Sequence, residues 1–171
     1  MGYLENATLN YNLSWVQSDT VNESKLIDNG SVKFETVYTS GTGIGQVNSV
    51  WYANGTLEVG EQKQFDLFSL SRSVFGGSII TNLSGGSVKA IIVSNLNNGI
   101  NQNIVFNTSG VAAFNQPMQT GAAYINIAPE SNFSFNNKFG YPVTTGQRYF
   151  YLKDINYSGV SYEIAILGVR L

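Results

Sequence analysis

The sequence predicts an all-β protein: a single antiparallel β-sandwich, jelly-roll-like, of about ten strands. Three observations predict it. Apolar residues recur with a period of two in segment after segment. Gly, Asn and Pro clusters separate those segments at short, regular intervals. No ten-residue stretch carries the 3.6-residue apolar period of an amphipathic helix. A chain of 171 residues is long enough to bury one core, and one domain is the expectation from length.

The strands can be justified in order. In Ala7 to Val16, Leu9, Tyr11, Leu13 and Trp15 share one face, while Thr8, Asn10, Asn12 and Ser14 share the other. Residues 18–29 read as a loop. Asn29-Gly30 then supplies the positive φ of a type I′ turn and predicts a tight hairpin. Ser31 to Tyr38 sets Val32, Phe34 and Tyr38 against Lys33 and Glu35. Strands follow at 47–53 and at 56–70, the latter broken near Gly60, with Asn54-Gly55 between them as a second tight hairpin. Residues 66–74 come nearest to a helix and support at most one turn. Further strands are expected at 78–82, 87–95, 102–107, 122–128, 132–136, 147–153 and 160–168. The last alternates Val160, Tyr162, Ile164 and Ile166 against Ser161, Glu163, Ala165 and Leu167. Its second face turns apolar late, as in a strand buried on both sides. Pro117, Pro129 and Pro142 fall in loops or at strand ends, where a missing N–H costs nothing. Residues 1–37 read as an N-terminal arm or strands, part of or packed on the sandwich, and residues 38–171 as the sandwich itself.

Composition then narrows function. The chain holds 9 Lys+Arg, 11 Asp+Glu, no His and no Cys. A Ser-His-Asp triad, a thiol nucleophile, a disulfide and an ordinary zinc site are therefore excluded. So little positive charge gives no phosphate-tracking face, and no nucleic-acid partner is expected. Surface polarity comes instead from 20 Asn, 18 Ser and 11 Thr, a neutral surface that costs little to desolvate when two faces meet. No signal peptide is read at Met1-Gly2-Tyr3-Leu4-Glu5-Asn6. The longest apolar run, Ala90 to Val93, is too short to span a bilayer, so no membrane role is expected. Nine Asn-x-Ser/Thr sequons read as turn chemistry rather than glycosylation.

The motifs that invite chemistry are weak in context. Gly41-Thr42-Gly43-Ile44-Gly45 is followed by a strand, not the helix that a dinucleotide site requires. Asp28-Asn29-Gly30 opens like a calcium loop but lacks the later acids and the closing Glu. A calcium held by loop carbonyls stays open. Asp66, between Phe65 and Leu67, reads as a turn-capping carboxylate. No catalytic residue, cofactor site or metal site is assigned, and the expectation is a protein that is not an enzyme. The candidate interface or ligand residues are the aromatics Trp51, Tyr149 and Tyr151. Trp51-Tyr52 must point to opposite faces of a strand, and Tyr149 and Tyr151 to one face with Phe150 on the other. Exposed rings of this kind stack on sugars, while buried ones fill a core or an interface.

A set of short strings carries a family resemblance. In order they are Gly43-Ile44-Gly45-Gln46 leading to Trp51, Thr56-Leu57, Phe65-Asp66-Leu67, Val74-Phe75-Gly76-Gly77 and Val88-Lys89-Ala90-Ile91. Then come Ile127-Ala128-Pro129 with Phe133, Gly140-Tyr141-Pro142-Val143-Thr144-Thr145-Gly146, and Val160 to Gly168. In this shared order, the run from Gly43 to Gly168 resembles small β-rich virion proteins of tailed bacteriophages. The resemblance implies a virion structural component, made in the host cytoplasm, with the major capsid protein, other virion proteins or copies of itself as partners. Capsid decoration (cement) is the first expectation. A tail-associated adaptor or a receptor- or carbohydrate-binding module is the alternative. Interface candidates are Met1 to Asn6 and the loops 39–47 and 136–146. The first forty residues lie outside the resemblance.

Overall fold

The computed structural model describes residues 4–21, 24–74, 77–118, 124–156 and 158–171. Its strands are β1 (Asn6–Val21), β2 (Ser24–Ser40), β3 (Gln46–Val47), β4 (Ser49–Leu57), β5 (Gln62–Asp66), β6 (Leu70–Val74) and β7 (Gly77–Thr81). They continue as β8 (Ser87–Asn95), β9 (Ile104–Asn107), β10 (Tyr124–Ile127), β11 (Asn132–Pro142), β12 (Tyr149–Asp154) and β13 (Val160–Val169). A single 3-10 turn, Gln116–Met118, is the only helical element among the described residues. The strand count exceeds the expected ten because residues 46–74 divide into β3, β4, β5 and β6.

Eight strands build two antiparallel sheets. The front sheet runs β11-β8-β13-β4 and the back sheet β10-β9-β12-β5. Between them lies the main core, where inward positions of both sheets meet: Trp51, Val88, Ile91, Val93, Tyr162, Ile164 and Ile166 from the front, Phe65, Ile104, Phe106, Ile127, Phe150 and Leu152 from the back. Aromatic rings organise it. Phe65 stacks on Phe150 at 5.0 Å, and Phe150 on Phe106 at 5.4 Å. Phe65 also meets Trp51 and Tyr162 edge-on at 5.9 and 6.1 Å, which ties the back sheet to the front. Strands β6 and β7 form a separate two-stranded ladder.

The N-terminal strands pair along their whole length, from Asn6 with Thr39 to Val21 with Ser24. At about 3.4 Å per residue this hairpin is about 50 Å long. Its root lies on the outer face of the front sheet, where Leu9, Tyr38 and Val47 bury against Ala90 and Leu167. Tyr38 Oη donates to the carbonyl of Lys89 at 3.3 Å, and Tyr11 Oη to Ser134 Oγ at 2.7 Å. Burial, then the neighbouring Tyr11, pushes the Tyr38 hydroxyl above its ordinary pKa. This cover explains the late second apolar face of β13. Leu167 points away from the main core and into the hairpin root.

Both Asn-Gly expectations are corrected. Asn29 and Gly30 sit inside β2, opposite Val16 and Trp15, and the described residues of the expected loop, 18–21 and 24–29, are strand. The pairing runs as far as Val21 opposite Ser24, and residues 22–23 lie outside the described residues. Asn54 and Gly55 sit inside β4, opposite Glu163 and Tyr162. Neither glycine has positive φ. At Gly55 the reason is packing. A Cβ there would lie 2.8 Å from Tyr162 Oη and 3.1 Å from Cζ, so the tyrosine ring covers a bare backbone. The break near Gly60 is present, with φ at +73°. Residues 66–74, which supported at most one helical turn, hold a simple turn at Leu67 and Phe68 followed by β6. Residues 136–142, expected as loop, continue β11 through a bulge, since pairing jumps from Asn136–Ala90 to Tyr141–Val88.

Asp154 ends β12 as a buried carboxylate. Its Oδ2 accepts N–H bonds from Gly60 (3.1 Å), Ser158 and Gly159 (both 3.0 Å), and its Oδ1 accepts from Asn156 (3.0 Å). Burial opposes the charge, but the four backbone donors outweigh it and hold the pKa below the ordinary aspartate value. A depressed carboxylate stabilises the fold above its unfolded pKa of about 4 and loses that contribution as pH falls through the folded value. Asp154→Asn is therefore expected to lose about 2 kcal/mol at neutral pH. The gap to wild type should narrow as pH drops below about 4, checked by denaturant titrations across that range. Gly55→Ala is expected to lower stability by about 1–3 kcal/mol by displacing the Tyr162 ring, checked by thermal unfolding.

Candidate functional site

Strands β4 and β5 are the outer strands of their sheets, and both lie on the same side of the sandwich. Where they meet the start of β6, a cleft of about 470 Å³ opens. Its walls follow from strand parity. Trp51 and Ala53 face inward from β4, with Tyr52 and Asn54 at the rim. Lys63 shares the inward parity of buried Phe65 but stands at the strand end, so its stem enters the gap while its ammonium stays in water. Nζ lies 5.7 Å from the centroid of the Tyr162 ring. Ser69, Ser71 and Arg72 close the cleft from the β6 side. Trp51 Nε1 donates to the Ser71 carbonyl at 3.2 Å and fixes that wall.

The electrostatics of the cleft are one-sided. Asp66 is the only acid in its wall among the described residues, and its carboxylate is engaged. Oδ1 accepts from the Phe68 N–H at 2.9 Å, the turn-capping bond expected from sequence, and Oδ2 pairs with Arg148 Nη2 at 2.8 Å. The nearby Glu163 accepts from Tyr52 Oη at 2.8 Å. That bond, then burial and the Glu163 charge, raises the tyrosine's pKa. Lys63 and Arg72 have no carboxylate partner among the described residues. Arg72 Nε is buried and has no acceptor among them.

The three aromatics singled out from sequence do not converge. Trp51 is buried, at 3% exposure, with its ring against Phe65. It offers the cleft a wall rather than a free stacking face. Tyr149 and Tyr151 lie half-buried on the outer face of the back sheet, with Phe150 inward, as parity requires. The Arg148 guanidinium covers Tyr149 at 4.5 Å, and Tyr151 stands between Asn107 and Gln64. Lys63, Arg72 and Tyr162 were not singled out. Only Lys63 leaves a trace in the sequence, as a charge with inward parity two residues before Phe65.

The expected interface loops are brought together. Gly41 and Gly45 in the 39–47 loop take positive φ, and Gly45 N–H donates to the Lys138 carbonyl in the β11 bulge at 2.9 Å. Lys89 reaches the same bulge. Its Nζ donates to the carbonyls of Lys138 (3.0 Å) and Phe139 (2.8 Å), and burial lowers its pKa. The bulge and loop carry exposed Phe139 and Ile44. The glycine-rich segment joins two strands, which rules out a nucleotide-binding strand–helix turn. Asp28 is paired within β2, not in a calcium loop. Among the described residues no three acids converge on a metal position, and no helix is long and apolar enough to cross a membrane.

Family models and curated proteins give no match to this chain.

Proposed function

We propose that this chain is a non-enzymatic virion structural protein, most simply a capsid decoration subunit, which docks through its N-terminal hairpin. One observation carries the proposal. Cross-strand pairs Ala7–Tyr38, Leu9–Thr36, Tyr11–Phe34 and Leu13–Val32 put one apolar stripe on one face of the hairpin. At the root this stripe is buried on the front sheet. Beyond it the same stripe is uncovered, with Leu13 64% and Phe34 67% exposed. A two-stranded ribbon is marginal in water without a cover for its apolar face, and a contiguous uncovered stripe marks an interaction surface.

Other features support the reading without deciding it. Taken in chain order as β4, β5 and β8 to β13, the sandwich strands follow the order we read as a jelly roll of two Greek keys. The fold alone names no function. The resemblance to phage virion proteins favours a shell, and the low charge favours burial against one. The mechanism is linkage: a subunit that binds only the assembled shell stabilises that shell by mass action, and a lattice of such contacts adds avidity. The tail-associated or carbohydrate-binding reading rests on half-exposed Tyr149 and Tyr151, and copy number per particle separates the two.

Leu13→Glu with Phe34→Glu is expected to leave the near-ultraviolet dichroism of the sandwich unchanged while abolishing co-sedimentation with capsid shells. Wild-type protein that stays monomeric and ignores both shells and tails contradicts the proposal.

A further inference from the structure

The cleft between β4 and β5 lies on a different part of the molecule from the hairpin and has no part in the docking proposed above. Its chemistry is selective. Concave sites of about 300–1,000 Å³ are of ligand size, and this one is lined by Asn54, Ser69 and Ser71, with the exposed Tyr52 ring at its rim. Hydroxyl-rich ligands are held by that combination: amides and hydroxyls meet hydroxyl groups, and ring faces meet C–H faces. Charge adds a second requirement. Lys63 and Arg72 stand uncompensated, because Arg148 occupies Asp66 and Tyr52 occupies Glu163. The buried Arg72 Nε–H is a donor that lacks an acceptor among the described residues. The guanidinium that carries it lines the cleft and is only partly buried, so an anionic oxygen at its open edge would offset its charge.

We propose that this cleft binds an acidic saccharide, with the carboxylate of a uronic-acid-type sugar between Arg72 and Lys63 and its ring against exposed Tyr52 at the rim. The outer guanidinium N–H groups of Arg72 donate to one carboxylate oxygen, Lys63 Nζ neutralises the other, and Asn54, Ser69 and Ser71 meet the hydroxyls. Such a ligand matches the cleft on both counts, whereas a neutral sugar leaves the cations unpaired and a bare anion leaves the amides and rings unused.

The test titrates the full chain with galacturonic acid oligomers, neutral galactose oligomers of the same length, and acetate. It is followed by calorimetry and by the Arg72 Nε–H resonance. The uronic acid oligomers are expected to bind, to shift that resonance and to weaken with added salt. Arg72→Gln and Lys63→Gln are each expected to weaken binding by about tenfold. Lys63 is at the rim, so its variant keeps the test alive if Arg72→Gln fails to fold. Leu13→Glu with Phe34→Glu should bind the sugar as wild type does, which separates this site from the hairpin. Equal binding of neutral and acidic oligomers overturns the role of the cations. Acetate binding as tightly as the oligomers overturns the saccharide. Unchanged affinity in Lys63→Gln overturns the site.

Discussion

The pairing of β8 with β13 is the contact on which both parts of the molecule depend. These central strands of the front sheet are buried on both faces. On one side Ile91, Ile164 and Ile166 meet the aromatic stack of the back sheet. On the other Ala90 and Leu167 receive the hairpin root. One ladder therefore supports two cores, and the N-terminal strands are anchored by the same residues that close the sandwich. The bulge at Lys89 belongs to this arrangement. Pairing with β13 shifts between Leu167 and Gly168, and Lys89 reaches across to the carbonyls of the β11 bulge. A buried ammonium held only by carbonyl oxygens is costly, so its presence marks a place where backbone groups must be satisfied and little else can reach them.

The hairpin and the cleft follow from opposite treatments of strand surface. The hairpin is longer than the sheet that covers it, so an apolar face runs past its cover. The cleft arises because both sheets end on the same side, and edge strands leave a gap that polar side chains fill. In the first case the uncovered chemistry is apolar and suits a protein surface. In the second it is cationic, amide-rich and concave, and suits a small polar ligand. On the reading proposed above, the hairpin joins a shell and the cleft meets sugars.

Strand positions were legible because period-two alternation is a local property. Val160 to Gly168 revealed even the double burial of β13, since Leu167 broke the polar series on its outer face. The Asn-Gly pairs misled because turn preference is local, whereas pairing is decided by the whole ladder. Gly30 is carried through by the alternation on both sides of it, and Gly55 is required by the ring of Tyr162, far away in sequence. The cleft was mostly illegible for the same reason. Arg72 gains meaning only when β6 folds beside β4, and Asp66 loses its availability only when Arg148 arrives from the far end of the chain. Trp51 looked like a ligand residue on type alone, and its neighbours place it in the core.

The most direct measurement of the central claim is hydrogen exchange of the hairpin amides in the free protein and in the assembled particle. The account predicts that residues 12–21 and 24–35 exchange readily in the free chain and become protected on assembly. It predicts that β8 and β13 are protected in both states. Hairpin amides that exchange equally in the two states, with new protection confined to another surface, would contradict it.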